Sequence, residues 1–200
     1  MNSAVLGVNI APRDAAPGAQ AAGVALWAFI GVATSLFSLF IAAYVMRMEG
    51  SDWSPIAMPR QAWLSTALLL AGSGLLGLAR RAARRGDDAR AQRLLAAGGA
   101  CALGFLASQL WAWAALQEAR VALAGNPAAS FFYLLTALHG LHVAGGLVAW
   151  ALALHRPSAV RTRLLARYWH FLLAVWLVLF ATLGWLTPEV VDFICGRATR

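Results

Sequence analysis

Five stretches of this chain, at about residues 24–46, 61–79, 94–117, 130–154 and 168–187, are apolar nearly throughout. Each supplies the about 20 residues that a helix needs to cross the hydrocarbon core of a bilayer. Lipid offers no hydrogen bonds to an open backbone, so runs of this length without a two-residue period predict transmembrane helices. Turn chemistry separates them: Gly50 to Pro59 holds two prolines, Arg80 to Arg93 is polar, Gly125-Asn126-Pro127 breaks the chain, and His155-Arg156-Pro157-Ser158 ends the fourth run. Only 12% of the residues are charged, against about 25% in a soluble domain. The expected fold is therefore all-α, an integral membrane bundle of five transmembrane helices over 24–187. A disordered cytoplasmic leader, 1–23, is expected before it and a periplasmic tail, 188–200, after it. The leader lacks the charged start and apolar core of a cleaved signal, so the first span is expected to act as the insertion signal.

All 16 basic residues are arginine, and they sit in the short segments between apolar runs. No basic domain exists to hold nucleic acid, so the charge is better read as orientation. Arg13, the Arg80–Arg93 cluster and Arg156, Arg161, Arg163 and Arg167 place about eleven on one side; Arg47, Arg60, Arg120, Arg197 and Arg200 place about five on the other. The arginine-rich side faces the cytoplasm, which puts the N-terminus inside and the C-terminus in the periplasm. Trp27, Trp53, Trp63, Trp169 and Trp185 fall near predicted interfaces, whereas Trp176 lies deep in the fifth run. Cys101 and Cys195 fall at different depths and no CxxC occurs, so no disulfide is expected.

Small residues recur four apart at Gly31 and Ser35, Ser38 and Ala42, Ser73 and Gly77, Gly98 and Ala102, and Ala100 and Gly104. That spacing lets helix backbones approach closely, the main source of packing energy in lipid.

Every acidic residue lies in a loop, a tail or a span end. A proton relay or ion-coupled transporter carries ionisable groups inside the bilayer, and no inverted repeat is visible; both count against transport. The histidines are the remaining candidates for chemistry. His139 and His142 are three apart and share a helix face. Counted from the predicted span ends, His142 lies about 18 Å from the cytoplasmic end of the fourth helix and His170 about 3 Å into the fifth, too unequal to flank one haem. His155 and His170 match in depth, but at an interface where solvent or a lipid headgroup is the natural partner. His139 and His142 give a metal two nitrogens, short of the three or four that zinc or copper takes. The expectation is that both bond to neighbouring helices or subunits, and that Gly145, Gly146 and Ala149 form a groove for another helix to enter. No catalytic, cofactor-binding or metal-ligating residue is expected in this chain.

Phe131-Phe132-Tyr133, Thr136, the run His139-Gly140-Leu141-His142-Val143 with Gly146, and Tyr168-Trp169-His170-Phe171 with Val175-Trp176 together resemble subunit III of the haem-copper respiratory oxidases. Two separate motifs stand in the right order on successive helices. The likeness extends from the first span, through Trp27, Phe29, Ala42, Ala43 and Tyr44, to the end of the fifth, and is to the five-helix form found in bacterial quinol and some cytochrome c oxidases. The resemblance implies a multi-pass protein of the bacterial inner membrane, with Tyr133, His139, His142, Gly146, Tyr168, Trp169, His170 and Trp176 as motif and packing residues. It implies no redox centre in this chain, haem and copper in partner subunits, direct packing on the catalytic subunit I beside subunit II, bound phospholipid, and support of proton uptake during oxygen reduction. His155 and Arg167 are the expected headgroup contacts. Ala33 stands where many members carry a membrane-embedded glutamate, and Leu173 where many have an aspartate. Those losses leave a second reading open, a subunit-III-like accessory protein of a nitric oxide reductase. A self-contained membrane cytochrome is the third.

Overall fold

A computed structural model describes residues 17–119, 126–155 and 158–194. The expected disorder of the first 16 residues, the position of Cys195, and the orientation arguments from Arg13, Arg120, Arg156, Arg197 and Arg200 lie outside the described residues.

The described residues form five long helices, α1 (Pro17–Arg47), α2 (Gln61–Arg84), α3 (Asp88–Glu118), α4 (Pro127–His155) and α5 (Ala159–Trp185), followed by the short α6 (Pro188–Ile194). All five are long and apolar enough to cross a membrane. Most overrun the expected spans: α1 starts seven residues early, inside the expected leader, α3 six and α5 nine. Hydropathy marks where lipid is, but a helix continues until its backbone hydrogen bonds end, and arginine stems can lie along its surface while their heads reach water.

Local chemistry sets the ends. The Asp87 carboxylate caps α3 by accepting from the Arg90 amide at 3.1 Å, and the Ser158 hydroxyl caps α5 by accepting from Arg161 at 3.2 Å. Asn126 accepts from the Ala128 amide at 3.0 Å at the start of α4 and donates from Nδ2 to the Ser54 carbonyl at 2.9 Å, tying two loops together. Gly86 turns the α2–α3 connection at φ 76°, a conformation that side chains resist. At the opposite end, Arg47 holds Asp52 at 2.6 Å and keeps that exposed carboxyl below its ordinary pKa.

α2, α3, α4 and α5 form a closed ring in which each packs on its two neighbours; α1 lies outside, against α4 and α5. The small-residue pairs divide accordingly. Gly98 and Ala102 are buried at the α2–α3 seam, where a Cβ on Gly72 would come 3.3 Å from the Gly98 carbonyl oxygen. Gly31 and Ser35, with Ser38 and Ala42, instead face outward on α1, and the Ser35 hydroxyl bonds its own helix at the Gly31 carbonyl.

Candidate functional site

The two motifs meet at the middle of the bundle. On α5, Trp169 is fully buried and inserts between α4 and α2: a Cβ on Gly146 would lie 2.6 Å from its ring, and one on Gly72 3.9 Å from its indole nitrogen. Tyr168 covers the other side of Gly146 and donates from its hydroxyl to the His142 carbonyl at 2.9 Å. The expected groove is therefore divided. Gly146 is filled from within by α5, and only Gly145 and Ala149 remain open.

Trp169, expected near an interface, is enclosed by α2 and α4. Because α5 begins at Ala159, Trp169 and His170 sit about 15 Å along it, level with Gly72 and Ser73 at the midpoint of α2. His142 and His170 are thus of similar depth, and depth does not separate them. Direction does. The His170 ring faces α2, where Nδ1 bonds the Ser73 hydroxyl, while His142 faces α1, with Phe29 and Phe37 at 5.7 and 5.3 Å between ring centres. His142 Nδ1 donates to the Leu138 carbonyl at 2.7 Å. The two imidazoles therefore turn to different helices, His170 to α2 and His142 to α1, rather than to one another.

His139 lies at the bundle centre, fully buried, with Phe105 of α3 at 5.5 Å, Trp176 of α5 at 5.3 Å and Phe37 of α1 at 6.3 Å. Among the described residues neither ring nitrogen has a hydrogen-bond partner, so the expected interhelical bond from His139 is replaced by aromatic packing. Trp176 is buried as expected and donates from Nε1 to the Thr66 hydroxyl at 2.9 Å, joining α5 to α2. Trp176→Phe should remove that bond and lower stability by about 1 kcal/mol, read as a lower melting temperature in detergent; an unchanged value would mean the bond contributes nothing. Tyr133 is buried against Trp113, whose indole donates to Thr136 at 3.0 Å. His155 closes α4 and Arg167 lies on α5, both exposed. Ala33 is buried on the Phe29–Ala33–Phe37 stripe of α1.

Two further locks went unread in the sequence. Trp150 packs against Gly99, where a Cβ would overlap its ring, and donates from Nε1 to the Leu95 carbonyl at 2.7 Å. Gln109 donates to Ser65 at 2.7 Å, and Ser65 in turn bonds Ser108 at 2.9 Å. The adjacent glycines at 98 and 99 were the available signal for the first.

Beside the motif residues, Ala22, Leu26 and Phe29 of α1 face Gly145 and Tyr168 across a cleft of about 500 Å³, with Arg161 at one end. Among the described residues, no three of His, Cys, Asp or Glu converge as metal ligands.

The family model for cytochrome c oxidase subunit III matches residues 23–187, from the first helix through the fifth. The chain belongs to the cytochrome c oxidase subunit III family. It is 30% identical over 166 residues to cytochrome c oxidase subunit 3 of Synechocystis sp., covering 76% of this chain and 70% of that one. It is also 30% identical to the probable cytochrome c oxidase subunit 3 of Mycobacterium tuberculosis, over 74% of this chain and 77% of the relative. With cytochrome bo(3) ubiquinol oxidase subunit 3 of Pseudomonas aeruginosa it shares 25% identity over 77% and 79%. As a subunit III, the chain is a multi-pass membrane protein, and its two histidine-bearing motifs are the pair whose helices pack through Gly146 and Trp169.

Proposed function

We propose that the chain is a non-catalytic subunit III of a haem-copper terminal oxidase in a bacterial inner membrane, bracing the catalytic subunit and supporting proton uptake while oxygen is reduced. The observation that carries this reading is the motif centre itself. Residues that could have served chemistry, His139 above all, are buried among aromatic rings, which suits a rigid support. Ala33 and Leu173 carry no proton, so the support given to proton uptake acts through the partner. The arginine-rich ends of α2, α3 and α5 face the cytoplasm on this reading. The cleft between α1, α4 and α5 suits the acyl chains of a phospholipid, with Arg161 near its phosphate. Similarity to named oxidase subunits favours this reading over association with a nitric oxide reductase.

The test is purification of the tagged full chain in mild detergent from its own membranes. Haem absorbance and oxygen-consuming activity should co-elute with it, with subunits I and II in the eluate. A chain that elutes without any haem-bearing partner would overturn the proposal, and a partner that reduces nitric oxide but not oxygen would transfer it to the second reading.

A further inference from the structure

The turn between α2 and α3 collects charge that the packing of the bundle does not use. Arg81 and Arg85 are four apart and share a face at the end of α2. Gly86, at φ 76°, reverses the chain there, so that Arg90, in the first turn of α3, comes back onto the same rim. The three side chains line a cavity of about 280 Å³ with Leu78, Ala82 and Asp87. Each of the arginines is exposed, and among the described residues none of the three has an ion-pair partner. Asp87 is the carboxylate among the lining residues, and its Oδ1 is already engaged by the Arg90 amide, while the neighbouring Asp88 lines a different cavity with Ala91 and Ser158. The rim is therefore strongly cationic.

We propose that this turn binds an anionic phospholipid, whose phosphodiester is held by Arg81, Arg85 and Arg90. Guanidinium forks match phosphate oxygens in shape as well as charge, and basic pockets at the ends of transmembrane helices hold acidic headgroups. The cavity is below the about 300–1,000 Å³ of pockets that enclose a whole small ligand, so it admits a headgroup and leaves the chains outside. Leu78, a turn deeper into the bilayer and 43% exposed, supplies an apolar surface along which an acyl chain descends. A phosphate anchored there would also draw the ends of α2 and α3 together by screening the repulsion among their arginines. This site lies on the opposite pair of helices from the α1–α4–α5 cleft, and it does not depend on which complex the chain joins.

The experiment uses the full chain, with whatever subunits it retains in mild detergent, placed in phosphatidylcholine nanodiscs doped with phosphatidylglycerol. Native mass spectrometry then counts retained phosphatidylglycerol. Each of Arg81→Gln, Arg85→Gln and Arg90→Gln should weaken retention about fivefold and the triple variant about a hundredfold, while Arg60→Gln, at the other end of α2, should change nothing. The substituted side chains are exposed, so helicity should be unaltered; should the triple variant not fold, the single variants carry the test. Equal retention by wild type and the arginine variants would overturn the proposal. So would protection of these arginines from phenylglyoxal by inorganic phosphate but not by phosphatidylglycerol, since the site would then serve a soluble anion. Arginines that become reactive only once a neighbouring subunit is stripped away would overturn it too, in favour of a protein contact.

Discussion

Gly146→Leu should unseat Trp169 and loosen the bundle by about 3 kcal/mol or more, the upper range for forcing carbon into a packed interior. Even the first added carbon would stand 2.6 Å from Trp169 Cζ3 and 2.9 Å from Tyr168 Cε1. Both neighbours are rigid rings, and Trp169 is enclosed on its other side by α2, so neither can swing aside. Gly146→Ala should give an intermediate loss. The measurement is the melting temperature of the full chain in mild detergent, with the yield of assembled complex as a second readout. Adding Trp169→Ala to Gly146→Leu supplies the missing space, so the pair should be less harmful than the sum of the single losses. A melting temperature unmoved by Gly146→Leu would show that α4 and α5 do not pack through this seat.

The second large effect is expected at the α2–α3 crossing. A Cβ on Gly98 would lie 2.9 Å from Leu76 Cγ and 3.4 Å from the Gly72 carbonyl oxygen. Leu76 is fully buried and the carbonyl is backbone, so a branched side chain has no free direction. Gly98→Val should cost about 2–3 kcal/mol and Gly98→Ala less, with α2 and α3 separating first on heating. Gly31→Ala is the contrasting substitution. Nothing lies within 4 Å of a Cβ at Gly31, so the change should be neutral or raise stability by up to about 1 kcal/mol through helix propensity. Similar losses at Gly98 and Gly31 would show that the division between inward and outward glycines is wrong.

That contrast marks how far the motif region was legible. His139, Gly146, Tyr168, Trp169 and Trp176 could be singled out because two motifs stand in order on successive runs. Their arrangement could not. The apolar run starting near residue 168 puts His170 in the first turn of its helix, whereas α5 begins at Ala159 and brings His170 beside Ser73 at the middle of α2; helix ends are set by capping and backbone bonds, which the hydropathy of a run does not record. The sequence also offered His139 as a donor to a neighbouring helix, when the surrounding space is filled by Phe105, Phe37 and Trp176.

The sequence alone determined the number of membrane-spanning helices, their membrane character and their family, since twenty apolar residues in lipid have one way to satisfy their backbone and the motif residues recur in order. Only the tertiary structure decided which face of each helix is inside. In water a buried face announces itself by being apolar, but in a bilayer the outward face is apolar as well. Gly31 and Gly98 therefore look alike along the chain. Shape, with Trp169 against Gly146 and Leu76 against Gly98, is what separates core from surface here, and shape exists only once the helices are assembled.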